Sequence, residues 1–163
     1  MPEGGAGVEV AAVVAEQLAE IGIEVEVRPL EAASFYATEV GNPDSVAANG
    51  YGLVLATTTP DFPTPASLLA PLADGRGIRA VCNTNYARLD DEEINGLIDA
   101  ARAAGTGDEA REAWAAVASA VQGTAAYVPL AETRVQLIAG QRLRNGVVMR
   151  PYSGYDLATA GIG

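Results

Sequence analysis

Apolar residues recur at Val10, Val14, Leu18 and Ile21, the spacing of one helical face, and Gly22 follows as a C-terminal cap. Ile23-Glu24-Val25-Glu26-Val27-Arg28 then alternates strictly. That pattern predicts a strand with one solvated face, ended by Pro29. A short helix is expected over residues 31–40, with Phe35 and Val40 inward, and Gly41-Asn42-Pro43-Asp44 reads as a turn. Leu53-Val54-Leu55-Ala56 is an unbroken apolar run, the mark of a short strand buried on both faces. Helix, strand, helix, strand is the grammar of a parallel α/β sheet.

Beyond the run, Thr64 followed by Pro65 has the form of an N-cap with proline at the first helical position, starting a short helix to about Leu72. Residues 74–89 carry turn and polar residues and read as an irregular excursion. Asp90 and Glu93 form a capping-box pair ahead of a helix whose inner face is Ile94, Leu97, Ile98 and Ala101. Gly105-Thr106-Gly107 breaks that helix and Asp108 is expected to cap the next one. Ala110, Trp114, Val117, Ala118 and Val121 face inward there, and Gly123 stops it. Residues 127–130 and 134–138 read as late strands, and the tail from Gly140 has little regular pattern. The chain shows neither an internal repeat nor an interdomain linker, so residues 1–163 are taken as one domain.

Composition narrows the chemistry. The chain carries a net charge of −11, all ten basic residues are Arg, and there is no His. The arginines are scattered, with no basic stripe for phosphates, which argues against nucleic acid or an anionic membrane as partner. The lack of His removes the commonest general base and the commonest zinc ligand. Cys82 is alone and is expected to be a small buried hydrophobe. No apolar run has the length of a membrane span. The residues call for no cofactor and no metal. The acidic cluster 90–93 is a helix start whose carboxylates serve the amides there. Trp114, on a helical inner face, belongs to the core.

The segment Thr57-Thr58-Thr59-Pro60-Asp61-Phe62-Pro63 carries the candidate chemistry. In an open α/β sheet, ligands bind beyond the carboxyl ends of the strands. Asp61 follows such a strand on a loop stiffened by prolines. It can bind a ligand, or simply shape a proline-rich turn. The three threonines can line a cleft, or be β-branched residues at a strand end. Asn83, Asn85 and Tyr86 face the same crevice or satisfy backbone groups, and Tyr152 and Tyr155 are candidates to cover a cleft.

Several short words in the chain are similar to those of a known family. Residues 15–27 match a helix ending "QLxxxGI" and its following strand; Tyr51-Gly52-Leu53-Val54-Leu55 matches a "YDL"-type strand. Pro60-Asp61-Phe62-Pro63 matches an "ADFP" loop, and Asn85-Tyr86 with residues 93–101 matches "NxxY…EVDxLIxxA". Tyr127-Val128-Pro129-Leu130 matches "xxIPL". Five such words in order resemble the C-terminal lobe of a family 5 extracytoplasmic solute-binding protein, the peptide, oligopeptide and nickel receptors of ABC importers. The resemblance implies an α/β lobe of periplasmic-binding-protein-like fold, with a mostly parallel sheet flanked by helices. It implies a non-catalytic role in binding a peptide or other small solute, with a second lobe and a permease as partners. Asp61 would pair with the ligand's α-amino group, and Thr57, Thr58, Thr59, Phe62, Asn85 and Tyr86 would line the site.

The chain departs from that pattern in four ways. Thr57, Thr58 and Thr59 stand where many members carry Gly-Trp-Gly or Gly-Trp-Cys, so the usual aromatic wall is missing. Asn95 replaces the acid of "EVD". The match covers one lobe of a two-lobed receptor. The strand that usually precedes the helix beginning near Val8 is lacking, since residues 1–7 are too short and glycine-rich to form it. The full receptor is expected to be extracytoplasmic. This chain, with neither the basic nor the apolar region of a signal peptide, would be cytoplasmic if Met1 is its natural start. An alternative is a lobe adapted to bind a small apolar metabolite or to pair with itself as a homodimer. An enzymatic reading finds no nucleophile–base pair.

Overall fold

The structure, a computed structural model, describes residues 1–4, 6–132, 134–149 and 152–163. Helix α1 spans Ala6–Glu20. It ends as expected: Gly22, at φ 82°, donates to Ala19 O (3.0 Å) while Ile23 N donates to Leu18 O (3.0 Å), the paired closing bonds of a Schellman motif. Helix α2, Ala32–Ser34, runs directly into a π-helical turn, Phe35–Glu39, and Phe35 and Val40 are buried as their spacing predicted.

Helix α3, Pro43–Asn49, occupies ground that the sequence reading assigned to a turn. The same residues explain it. Asn42 accepts hydrogen bonds from Asp44 N and Ser45 N, Pro43 takes the first turn where no amide is needed, and Gly50 closes the helix in the left-handed region.

Helices α4 (Pro65–Ala73), α5 (Glu92–Ala103) and α6 (Asp108–Gly123) form the core. Ala70 and Ala73 of α4 meet Ile94, Ile98 and Ala101 of α5 and Trp114, Val117 and Val121 of α6. Helices α5 and α6 contribute the apolar stripes their periodicity predicted, and α4 adds two small buried residues, Ala70 and Ala73. The caps shift by one position: Asp91, not Asp90, accepts from Glu93 N and Ile94 N, and Gly107, not Asp108, is the N-cap of α6. Thr64 stands at the N-cap of α4 but makes no side-chain cap bond.

Between α4 and α5, a 3-10 turn at Gly75–Gly77 brings Asp74 under two arginines. Asp74 is buried and binds Arg76 Nε at 2.8 Å and Arg102 Nη1 at 3.0 Å; Arg76 also grips Asp99 at 2.7 Å.

The mostly parallel sheet is not seen among the described residues. The strands present are four two-residue pieces: β1 (Leu143–Arg144) pairs antiparallel with β4 (Gly161–Ile162), and β2 (Val148–Met149) with β3 (Gly154–Tyr155). One isolated parallel bridge joins Pro2 and Leu30. The runs at 23–28, 53–56, 127–130 and 134–138 are not strands, because a strand exists only through a neighbour's backbone groups. Their apolar side chains are correspondingly open: Leu53 is 69% exposed and Ile138 is 85% exposed. The alternation at 24–28 persists in burial, with Val25 and Val27 half-buried and Glu24, Glu26 and Arg28 exposed. No helix among the described residues is long and apolar enough to cross a membrane.

Candidate functional site

The loop Thr57–Pro63 is held at both ends. At its exit, Thr64 N donates to Phe62 O (2.7 Å), and Ser67 Oγ donates to Phe62 O (2.7 Å) and Thr64 O (3.2 Å). The first turn of α4 is therefore stitched to the loop by Ser67 rather than by Thr64. At its entry, Thr57 N donates to the Tyr36 hydroxyl at 3.1 Å, and that hydroxyl lies 3.0 Å from Thr57 Oγ1.

Tyr36 itself is fixed from below. Its ring meets the buried Phe35 ring edge-on, with centroids 4.8 Å apart and planes at 88°. Tyr86 stands beside it, ring centroids 6.2 Å apart and tilted by 47°. Burial and the neighbouring Tyr36 push the Tyr86 phenol above its usual range. The Tyr86 loop is tied to the same turn by Cys82 N donating to Ala37 O (3.0 Å) and Asn83 N donating to Gly41 O (2.8 Å).

The buried asparagines work beneath that loop. Asn83 accepts from Arg79 N (3.3 Å) and donates to Asn85 O (2.6 Å). Asn85 donates to Leu89 O (2.7 Å) and accepts from Leu89 N (2.9 Å). Tyr127 Oη donates to Leu72 O at 2.7 Å, lies 3.2 Å from Asn85 Oδ1 and accepts from Ala87 N at 3.3 Å. These bonds brace the loop against α4. Burial pushes the Tyr127 phenol up to about 12.

Of the residues singled out in the sequence, Thr57 and Tyr86 are brought together, both through Tyr36. Thr58, Thr59, Asp61 and Phe62 lie exposed on the loop. Asn85 is buried, with its side-chain amide bonded to the backbone of Leu89. Cys82 is exposed with φ 52°, where a buried thiol was expected, because the backbone turns there to deliver Asn83 inward. Tyr36 was missed. The available signal was a second aromatic directly after Phe35, which must point away from the core if Phe35 points into it.

Two shallow grooves lie elsewhere. One, of about 350 Å³, is lined by Glu9, Val10, Val13, Val14 and Leu130; the other, of about 280 Å³, by Gly140, Gln141, Arg142, Leu143 and Ile162. Neither includes the Asp61 loop. Among the described residues no group of three or more His, Cys, Asp or Glu could hold a metal ion. The loop thus exposes the Asp61 carboxylate and three threonine hydroxyls, and Thr57 links it to the Tyr36–Tyr86 pair. Such groups can bind an amine and pack against a side chain.

This fold is shared with part of a peptide-binding protein. The chain is similar to the solved structure of clavulanic acid biosynthesis oligopeptide binding protein 2, with 36% identity and a TM-score of 0.88 over 94% of this chain. It spans 28% of that protein's length. No family model matches the chain, and neither does any curated protein.

Proposed function

We propose that this chain is a ligand-binding lobe of a solute-binding protein that takes peptides or similar small solutes for an ABC importer, and that it makes and breaks no covalent bonds. The observation that carries this reading is the shared fold with an oligopeptide-binding protein at 36% identity. In this reading Asp61 receives the ligand's α-amino group, the threonine hydroxyls meet its backbone, and the Tyr36–Tyr86 pair stands in for the aromatic wall that residues 57–59 lack. The complete receptor works outside the cytoplasm with a second lobe closing over the ligand.

Ligand sites bury most of a ligand's surface, and one open face cannot. The isolated chain is therefore expected to bind short peptides only at millimolar strength, about −4 kcal/mol. Titrating trialanine into the labelled protein, followed by amide chemical shifts, tests this. Shifts centred on Thr57–Phe62 and Tyr86, reduced by Asp61→Asn and by N-acetylation of the peptide, support the reading. No shift at millimolar peptide, or shifts centred elsewhere, overturns it.

A further inference from the structure

The sequence holds three Asn-Gly pairs, Asn49-Gly50, Asn95-Gly96 and Asn145-Gly146, and the fold treats them differently. An asparagine followed by glycine can rearrange without an enzyme. The glycine has no Cβ to obstruct its amide nitrogen, which can attack the side-chain carbonyl carbon of the asparagine before it. Two kinds of contact oppose this in a folded chain. A hydrogen bond can occupy the attacking amide, and others can hold the side chain away from it.

Both protections act at the first two pairs. The Gly50 amide donates to Val46 O and Ala47 O at the end of α3, and Asn49 Nδ2 donates to Ser45 O at 2.9 Å and to Ser45 Oγ at 3.3 Å. The Gly96 amide lies in the second turn of α5, where the helix itself engages it. Asn95 Oδ1 accepts from Gly75 N at 3.0 Å, and Asn95 Nδ2 donates to Asp90 Oδ1 at 3.2 Å. The third pair has neither protection. Asn145 and Gly146 are exposed in the link between β1 and β2, and among the described residues no hydrogen bond reaches the Gly146 amide or the Asn145 side chain. Asn145 stands in the left-handed region, at φ 52°, and its carbonyl accepts from Val147 N at 2.9 Å.

We propose that Asn145 is the chain's preferred site of spontaneous deamidation, a modification site with water as the co-reactant. The Gly146 amide gives its proton to solvent base, and its nitrogen bonds to Asn145 Cγ. The Cγ–Nδ2 bond breaks, a solvent proton completes the leaving ammonia, and a cyclic succinimide remains. Water then opens the ring at one of its two carbonyls. Breaking the bond from nitrogen to Cγ leaves an ordinary aspartate. Breaking the bond from nitrogen to the main-chain carbonyl carbon leaves isoaspartate, with Cβ and Cγ now in the backbone. Water is consumed and ammonia released in equal amounts, with no oxidation or reduction. Either product adds a carboxylate beside Arg144 to a chain of net charge −11. The isoaspartate also lengthens the link that follows β1, next to the pairing of Leu143–Arg144 with Gly161–Ile162. This inference stands apart from peptide binding at the Asp61 loop.

The test incubates the full chain in mildly alkaline buffer, cleaves it at arginine and reads the replacement of NH2 by OH from the fragment masses. Asn95 and Asn145 fall in separate fragments, 89–102 and one beginning at 145, and fragment sequencing separates Asn49 from Asn42. In the folded chain Asn145 should convert at least about tenfold faster than Asn49 and Asn95, which must first break their hydrogen bonds. In urea the gap should close to less than about threefold, because unfolding removes every partner. Gly146→Ala should slow Asn145 about tenfold by placing a Cβ beside the attacking amide. Equal rates in the folded chain, a faster Asn49 or Asn95, the same gap in urea, or an unchanged rate in Gly146→Ala would each overturn the proposal.

Discussion

The Tyr36 hydroxyl accepts the Thr57 amide proton at 3.1 Å and lies 3.0 Å from the Thr57 side-chain oxygen, joining the π-helical turn to the candidate binding loop across 21 positions of sequence. Nothing else among the described residues bonds that amide. In Tyr36→Phe it loses its partner, so its hydrogen exchange should speed up. The global cost should stay near 1 kcal/mol, because the site is partly solvated. Urea unfolding reads the second quantity, and amide exchange at Thr57 the first. If peptide binding uses this loop, the shifts caused by trialanine should weaken in the same variant.

Tyr127 carries a larger share of stability. Tyr127→Phe leaves the Leu72 carbonyl and the Ala87 amide without their phenol partner. A loss of about 1–3 kcal/mol is expected at neutral pH. The phenol also sets an alkaline limit. Its proton is held to about 12 in the folded state, against about 10 in the unfolded chain. The folded state therefore binds more protons across that window. The contribution is complete below about pH 10 and is lost as pH rises toward 12. Stability curves at alkaline pH should fall in the wild type and flatten in Tyr127→Phe.

At the acid end the governing groups are Asp74 and Asp99. Hydrogen bonds from Arg76 hold both carboxyls below the usual carboxylate range. Here the unfolded chain binds the extra protons. The stabilisation is present above about pH 4 and disappears as pH falls through the lowered values. Asp74→Asn should thus be less stable than the wild type at pH 7, and the gap should close in acid. A gap independent of pH would assign the role of Asp74 to packing instead.

Ile98 is fully buried where α4, α5 and α6 meet. Ile98→Ala should cost roughly 2–5 kcal/mol, depending on how far the helices collapse into the space. Thermal unfolding by circular dichroism would show it. Leu53→Ala removes an exposed side chain and should change stability by less than about 0.5 kcal/mol.

What was legible in the sequence divides along a physical line. Helices α5 and α6 with their inward residues, and the start of α4, could be read because their signals are local: a 3.6-residue period, a capping side chain, a proline at the first helical position, a terminal glycine. Asp91 displaced Asp90 as cap only because neighbouring acids carry the same signal. Asn42-Pro43 was ambiguous for a related reason, since a turn and a helix start use the same residues. The runs at 23–28 and 53–56 have strand patterns, but pairing is decided by what lies alongside, which no local pattern records. In the candidate site, the loop around Asp61 was marked by its prolines. Asn85 bonds the backbone of Leu89, one of the two uses its polar loop offered, whereas the reach of Tyr36 to Thr57 depends on contacts across the fold and had only a second aromatic after Phe35 as its local sign.

Trp114 is the protein's only tryptophan, and it is buried among α4, α5 and α6. Its fluorescence therefore reports on one cooperative unit and says little about the π-helical turn or the Asp61 loop. Stability is distributed unevenly in such a molecule, and units can open separately. A denaturation curve followed by Trp114 alone would look two-state even where the Asp61 loop came free of Tyr36 first. Only a probe on the loop itself would record that earlier event.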